Sequence, residues 1–363
     1  MEITRIIFNA PKLFGQILTK DFTSITALFV AMVFPLLLNA DTSDLVLPTI
    51  FDQFKQEKVL QAELEIDFDH LESKRRTNDY LSAHFSYVNA LGITQDWAVE
   101  VRARGRFRRN TCEMPPLRLR FSKKELIHKG YQKHNSFKLV THCMEGKEGD
   151  ELIMREYLAY QMYNVLTEKS FRTQLVKITY KDSQSKAKKT QYGVLIEDTD
   201  LMEDRLDGYE CEECYGLKTA AFEKDNLYLH ALFQYMIGNT DWSTRMISNL
   251  KLVASNKTGK VVVLPYDFDF SGLVNAKYAI PNSNYKLKSL RERYFQLEVD
   301  DKPLFYETVN YIKGKEQILL GTIENFELLS QKDRKDILEY LGAFFEELEN
   351  PNRILNKEQG ISK

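Results

Sequence analysis

The chain has 363 residues, of which 43% are hydrophobic and 28% are charged, and its formal net charge is −2. This balance excludes an intrinsically disordered chain, a collagen-like fibre and a polytopic membrane protein. The near-neutral charge argues against a general nucleic-acid-binding protein. The length exceeds what one compact core normally needs, so it predicts two lobes or domains.

The N-terminal segment combines basic and apolar residues. Several basic residues precede an uncharged apolar stretch from Ile25 to Leu38, and the small residue Ala40 follows it. This order is typical of a secretory signal. The stretch is short for a transmembrane helix, which needs about 20 apolar residues, and Pro35 would interrupt it. We therefore expect residues 1–40 to be a signal peptide or an N-terminal anchor, with a buried core helix as the alternative. The protein would then be exported (periplasmic, in the cell envelope or secreted) and contact a membrane only through this segment.

Four cysteines are present, Cys112, Cys143, Cys211 and Cys214. An even number in an exported chain permits disulfides, and three pairings are possible. The spacing Cys211-Glu-Glu-Cys214 is compatible with a redox pair, half a zinc site or a structural disulfide. No second C-x-x-C or H-x3-H motif supplies the other two zinc ligands, and the acidic surroundings differ from the strand-to-helix junction of a redox motif. We favour a structural disulfide or free thiols.

Alternation of apolar and charged residues predicts the first strands. One begins at Leu60, and a second runs from Val101 to Arg108 with four arginines on one side. Leu117 to Phe121 repeats the pattern, so two paired strands would present a field of guanidinium groups. Such a field can bind nucleotide phosphates, an acidic protein or an anionic glycan. It is equally compatible with a solvated sheet face paired with acidic residues.

Later segments complete an α+β pattern. Further strands are predicted over Ser136–Thr141, Leu175–Tyr180, Tyr192–Glu197, Asn249–Val253 and Val261–Tyr266. Helices are predicted over Glu151–Leu166, Asp225–Gly238 and much of Pro303–Asn350. This order predicts a strand-rich N-terminal lobe over residues 41–205 and a helix-rich C-terminal lobe over residues 206–363.

The segment 238–272 contains the most informative polar residues. Asp241 follows a predicted helix end, Asn249 lies eight residues later at the start of a strand, and Asp267 and Asp269 follow the apolar strand VVVLPY. Mg²⁺ prefers oxygen ligands and commonly takes only one or two carboxylates plus substrate phosphates. An Asn and an Asp at the ends of paired strands can supply that partial shell, which leaves another Asp to orient a hydroxyl nucleophile. The alternative is that these are only turn or cap residues.

The ordered motifs RGRF, SFKLV, LIMREYLAYQMYNVL, YGVLIED, GNTDW, NLKLV and LPYDFDFSG resemble the spore-coat protein H (CotH) kinase-like family over roughly residues 99–272. The resemblance implies a two-lobed, atypical protein-kinase-like fold, ATP as phosphate donor, and Mg²⁺ or Mn²⁺ as cofactor. It assigns the catalytic role to Asp241 and the metal-binding role to Asn249 and Asp267, and we add Asp269 to the metal set. The expected nucleotide-binding residues are Arg104, Lys138, Arg155, Glu156 and Glu197.

The sequence also departs from the pattern of ordinary protein kinases. It has no G-x-G-x-x-G loop and no H-R-D triplet, and Asp267-Phe268-Asp269 replaces D-F-G. Two functional hypotheses follow. The first is a Mg-ATP-dependent phosphotransferase that modifies a hydroxyl on an exported protein or envelope component. The second is a catalytically inactive, kinase-like envelope protein that uses its arginines to hold an acidic partner. Neither hypothesis involves nucleic acid.

Overall fold

The computed structural model describes residues 46–357. The predicted signal peptide or anchor, residues 1–40, lies outside the described residues, and so do residues 358–363. Within residues 46–357 there is no helix with the length and apolar character that a membrane crossing requires.

Seven strands form a closed barrel in the order β1-β2-β3-β4-β5-β7-β6. They are β1 (Leu60–Ile66), β2 (Leu81–Val88), β3 (Thr94–Ala103), β4 (Leu117–Phe121), β5 (Ser136–Val140), β6 (Thr173–Asp182) and β7 (Lys188–Ile196). All neighbours are antiparallel except β1 and β6, whose parallel pairing closes the barrel. In β1 every second side chain is buried, as the two-residue period of a strand requires.

Aromatic side chains fill the barrel interior. A short helix, α1 (Ile50–Phe54), begins with a capping box at Thr49 and buries Phe51 and Phe54. The Phe54 ring lies 4.9 Å from the Tyr87 ring and 5.5 Å from the Phe137 ring. These edge-to-face contacts add to the free energy gained by removing the rings from water.

The remaining elements include those that build a second hydrophobic core, whereas Leu71, Leu126 and Leu201, from three of the helices, pack with the barrel core. Outside the barrel strands they are α2 (Phe68–Ser73), α3 (Arg108–Thr111), α4 (Lys123–His128), α5 (Gly146–Leu166), α6 (Thr199–Leu206), β8 (Gly208–Glu210), α7 (Lys224–Met236), β9 (Leu250–Ser255), β10 (Val261–Pro265), α8 (Lys302–Gly314), α9 (Glu316–Glu324), α10 (Gln331–Leu348) and α11 (Asn352–Lys357). Strands β10, β9 and β8 form a three-stranded sheet. Helix α5 contacts β6 and β7 of the barrel and also α9, so it joins the strand-rich and helix-rich halves.

The chain is therefore a mixed α+β protein, as predicted, and its strand-rich half is a closed seven-stranded barrel, which is not a typical kinase N-lobe. The predicted strand from Val101 to Arg108 was wrong beyond Ala103. Gly105 has a φ of 85°, a left-handed conformation that glycine adopts at little cost, and it turns the chain into a loop. The arginines that follow Ala103 therefore do not share one strand face.

The four cysteines form two disulfides, Cys112–Cys143 and Cys211–Cys214, and the described part of the chain has no free cysteine. Of the two alternatives that the sequence favours, the structure has the disulfides. The first bond joins the end of α3 to the segment between β5 and α5, because Cys112 directly follows α3 and Cys143 lies three residues beyond β5.

Candidate active site

A pocket of about 610 Å³ lies at the C-terminal ends of the barrel strands β5 and β7. The start of β9 and the end of β10 also border it. It brings together the polar residues Arg104, Arg108, Asp241, Asn249, Asp267 and Asp269. Its apolar lining includes Pro116, Val140 and Ile196. The residues Asp241, Asn249 and Asp267, which are separated in the sequence, therefore meet in one cleft.

Local backbone geometry positions two of these residues. Asn249 precedes β9 with a φ of 54°, and Asp267 follows β10 with a φ of 66°. This left-handed conformation is uncommon in residues other than glycine, although Asn and Asp tolerate it best. The Tyr266 amide donates to the Asn249 carbonyl at 3.1 Å, and the Asp267 amide donates to the Tyr160 hydroxyl oxygen at 2.9 Å. These bonds hold the two residues at adjacent strand ends.

Asp241 and Asn249 contact each other directly. The Asn249 side-chain amide donates to the Asp241 carboxylate at 2.8 Å and to its carbonyl at 2.6 Å. The Asp241 amide in turn donates to the Asn239 side-chain oxygen at 2.9 Å. Partial burial, together with the negative charge of Asp267, raises the pKa of Asp241 above its ordinary value. Both bonds to Asp241 use the Asn249 side-chain nitrogen, so the side-chain oxygen can serve as a ligand atom.

The Arg108 guanidinium lies within 4.0 Å of three carboxylates in the floor of the pocket. Arg108 lies 3.2 Å from Glu156, 3.7 Å from Asp269 and 3.9 Å from Asp267. Burial raises the pKa of Glu156 to about 7 and raises that of Asp269 as well. The Tyr278 hydroxyl donates to Asp269 at 3.1 Å. The cluster therefore carries more negative than positive charge when its carboxylates are ionised.

Arg104 lies near Asp267, and Lys138 lies behind the pocket lining. Arg104 lines the pocket, and the charge of Asp267 partly offsets the burial that lowers its pKa. Lys138 is 4% exposed, and its ammonium has no hydrogen-bond partner within residues 46–357. It lies 4.5 Å from the centre of the Tyr266 ring, which lines the pocket. Burial, with the charge of Arg104, puts the pKa of Lys138 well below its ordinary value.

Of the five residues predicted to bind nucleotide, only Arg104 lines this pocket; Lys138 and Glu156 lie behind the lining, and Arg155 and Glu197 are held elsewhere. Arg155 forms ion pairs with Asp333 at 3.0 Å and Asp336 at 2.9 Å, so its guanidinium is directed toward α10. Glu197 is fully buried and pairs with Arg172 at 2.8 Å and Arg205 at 2.7 Å. Because both side chains form ion pairs with other residues, neither lines the pocket. Glu156 is next to the pocket, and its partner is Arg108.

Arg108, Tyr160 and Tyr278 are pocket residues that the sequence reasoning did not single out. Arg108 had a visible signal, because it ends the arginine-rich run, but that run was equally compatible with anion binding and with a solvated sheet face, and only Arg104 was predicted to bind nucleotide. Tyr160 and Tyr278 had none, since a tyrosine in an apolar helix or loop gives no indication of what its hydroxyl contacts.

The described residues contain no group of three or more His, Cys, Asp and Glu side chains arranged to hold a metal ion by themselves. A cation at this pocket would therefore need the Asn249 oxygen and ligand oxygens in addition to the carboxylates. Such a ligand set is typical of Mg²⁺, which commonly keeps water or phosphate ligands. It differs from a site in which the protein supplies every ligand.

No family model matches the chain, and no curated protein matches it significantly. Among solved structures, the chain is similar to the proinflammatory kinase CtkA of Helicobacter pylori. The TM-score is 0.39 at 12% sequence identity, and the similarity covers 72% of this chain and 95% of that one. A similarity at this TM-score carries no argument about function, so function must be inferred from the pocket residues.

Proposed function

We propose that the protein is a phosphotransferase that uses a Mg²⁺- or Mn²⁺-bound ATP and modifies a hydroxyl group. The observation that carries this proposal is the meeting of Asp241, Asn249 and Asp267 in one pocket beside Arg104 and Arg108. Phosphoryl transfer needs positioning and charge stabilisation more than covalent chemistry by the protein. Phosphoryl transfer uses carboxylates to bind a metal, cations to bind phosphate and a separate Asp to orient the acceptor.

The charge balance of the pocket supports a divalent cation. Glu156, Asp267 and Asp269 lie within 4.0 Å of a single guanidinium, that of Arg108. Asp267, Asp269 and the Asn249 side-chain oxygen would hold the cation. When bound, the cation would neutralise charge on the phosphates.

The size and lining of the pocket support a nucleotide. A volume of about 610 Å³ falls within the ~300–1,000 Å³ range of ordinary small-molecule sites. Pro116, Val140 and Ile196 offer an apolar surface for a base. Arg104 offers a guanidinium for phosphate, which it recognises through two parallel hydrogen bonds. Lys138 lies beside Tyr266 with no hydrogen-bond partner among residues 46–357, so its ammonium group is available to a phosphate that approaches this side of the pocket.

Asp241 is the residue that would orient the acceptor. It is exposed at the pocket, and its carboxylate is fixed by the amide of Asn249. A raised pKa makes its carboxylate a better proton acceptor than an ordinary aspartate, which suits a group that receives a hydroxyl proton.

An exported location is part of the proposal, with a protein or envelope component as the acceptor. Two disulfides support it, because such bonds form and persist in oxidising compartments. Membrane contact, if the protein has it, is assigned to the N-terminal segment alone.

Asp267→Ala tests the proposal. ATP with Mg²⁺ should raise the melting temperature of the wild type and of the control variant Asp96→Ala, whose carboxylate is 61% exposed on β3. A ligand at 100 times its Kd adds about 2.7 kcal/mol of stability. The shift should disappear in Asp267→Ala, and transfer of the γ-phosphate to the protein itself or to added casein should be lost. Equal shifts in all three proteins would remove the metal role of Asp267. A wild type whose melting temperature rises with a polyanion but not with ATP and Mg²⁺ would favour the inactive protein that holds an acidic partner.

A further inference from the structure

A short hairpin lies in the sequence between the pocket residues Asp241 and Asn249. Ser243 and Ser248 exchange backbone hydrogen bonds of 3.2 and 3.1 Å, so the chain between them forms a tight loop. The hairpin begins two residues after Asp241 and ends one residue before Asn249. Ser248 itself lines the pocket. The base of the hairpin therefore borders the pocket, and its tip lies within three residues of that border in the chain.

The hairpin has a strained backbone. Ile247 has a φ of 49°, which is a genuine outlier for a β-branched residue. Such a conformation costs about 1–3 kcal/mol and persists only where surrounding bonds enforce it. Here the Met246 amide donates to the Ser243 hydroxyl at 3.1 Å, and the Gly216 amide donates to the Arg245 carbonyl at 3.0 Å. The strain fixes Arg245 and Met246 on the outer side of the loop, where both are exposed.

Exposed apolar side chains continue around the entrance. Met246 is 66% exposed, and the pocket residues Ile280 and Phe107 are 74% and 45% exposed. The Phe107 ring packs against the Phe270 ring at 5.6 Å, which holds it in place. Apolar surface at the edge of a polar pocket marks an interaction site better than a scattered exposed residue does.

Unpaired positive charge accompanies this apolar surface. Arg106, at the pocket, and Arg245, on the hairpin, are exposed and form no side-chain ion pair or hydrogen bond with any described residue. Glu212 and Glu213 are near in sequence to Gly216, which contacts Arg245, but neither forms an ion pair with it among residues 46–357. The entrance thus offers two free guanidinium groups.

We infer that the hairpin 243–248 and the apolar entrance recognise the acceptor, and that the acceptor is an acidic polypeptide segment with an apolar residue next to its reactive hydroxyl. This inference depends on the proposed function for the identity of the reaction, but not for the binding itself. Free arginines attract carboxylates and give specificity by charge, while Met246, Phe107 and Ile280 provide a place for an apolar side chain.

Direct binding of labelled peptides tests the inference without ATP. The probes are a fluorescein-labelled peptide with a central Ser-Leu pair flanked by two glutamates on each side, and the same peptide with lysines in their place. Exposed ion pairs contribute about 0.2–1 kcal/mol each, so we expect about fivefold tighter binding of the acidic peptide. Arg245→Glu should abolish or reverse this preference. Arg76→Glu, the same charge change at an exposed arginine that belongs neither to the hairpin 243–248 nor to the pocket lining, should leave it unchanged.

The apolar part has its own variant. Ile280→Ser should weaken binding of the acidic peptide with leucine and leave binding of a version with glycine in that position unchanged. Equal affinity of the two charge forms, or equal loss in Arg245→Glu and Arg76→Glu, would overturn the inference. Binding of phosphatidylserine vesicles but not of the peptide, lost in Arg245→Glu, would assign the entrance to a lipid surface instead. The ATP-dependent thermal shift of the same variants is measured separately, so failure of nucleotide binding is distinguishable from failure of acceptor binding.

Discussion

The barrel interior and the pocket are built partly from the same strands, yet they have opposite chemistry. Inside the barrel, Phe54, Phe85 and Phe121 are fully or almost fully removed from water and contact one another through ring edges. In the pocket, Arg108 is buried among carboxylates. The interior gains stability from every ring that it buries, whereas burying charge costs free energy unless each charge is paired. The pocket is therefore a place where stability is sacrificed, and this points to function.

The largest expected effect is in the barrel interior. Phe121→Ala removes a ring that contacts Trp97, Phe54 and Phe137, so we expect a loss of about 3–5 kcal/mol in the free energy of unfolding. Urea unfolding monitored by circular dichroism measures it. Phe107→Ala is the matched control, because that ring is 45% exposed at the pocket, and it should cost far less. Equal losses would show that the barrel interior is no better packed than the pocket entrance.

A somewhat smaller effect is expected for the ion pair in the pocket floor. Arg108→Met leaves Glu156, which is 1% exposed, without its partner. Breaking a buried pair costs about 3–5 kcal/mol, and we expect the lower end because Glu156, with a pKa of about 7, can take up a proton. The double variant Arg108→Met with Glu156→Leu should recover most of the loss.

The control for that pair is Arg120→Met. Arg120 pairs with Glu100 at 2.7 Å on the barrel surface, where both side chains are well exposed. Exposed pairs contribute about 0–1 kcal/mol. If Arg120→Met lowered the free energy of unfolding as much as Arg108→Met does, the expected difference between an exposed and a buried ion pair would be contradicted.

The smallest effect is a pH dependence at the barrel edge. His142 follows β5, is fully buried and packs near Tyr180; burial, with the charge of Lys189, lowers its pKa from 6.5 to about 4. The unfolded chain then binds a proton more readily than the folded one. Stability is complete above pH 6.5 and falls as the pH decreases through the window from 6.5 to about 4. Between pH 6.5 and pH 5 we expect about 2 kcal/mol of loss.

His142→Leu should remove this component of the pH dependence, and His128→Leu, at an exposed position on α4, should not. The measurement is the free energy of unfolding in urea at pH 7.5 and pH 5 for the three proteins. A wild-type difference that survives unchanged in His142→Leu would assign the acid sensitivity to other groups.

Local pattern was sufficient for most elements. The two-residue alternation predicted β1 and β4, and the hairpin of β6 and β7 lies over the expected segments, because side-chain burial on a strand follows sequence period. The strand prediction was wrong beyond Ala103, because the alternation continues through RGRF although Gly105 turns the backbone. The order of strands in the barrel, with β7 between β5 and β6, had no local signal.

The sequence by itself placed Asp241, Asn249 and Asp267 at element ends, where side chains are free to face a ligand, and so made them the candidates for the proposed metal and acceptor site. Only the tertiary structure decided which cations join them. It turned Arg155 toward α10 and brought Arg108 from the end of an arginine-rich run to three carboxylates. The physical reason is that a residue's position at an element end is a local property, whereas ion pairing depends on which segments the fold places within a few ångströms of each other.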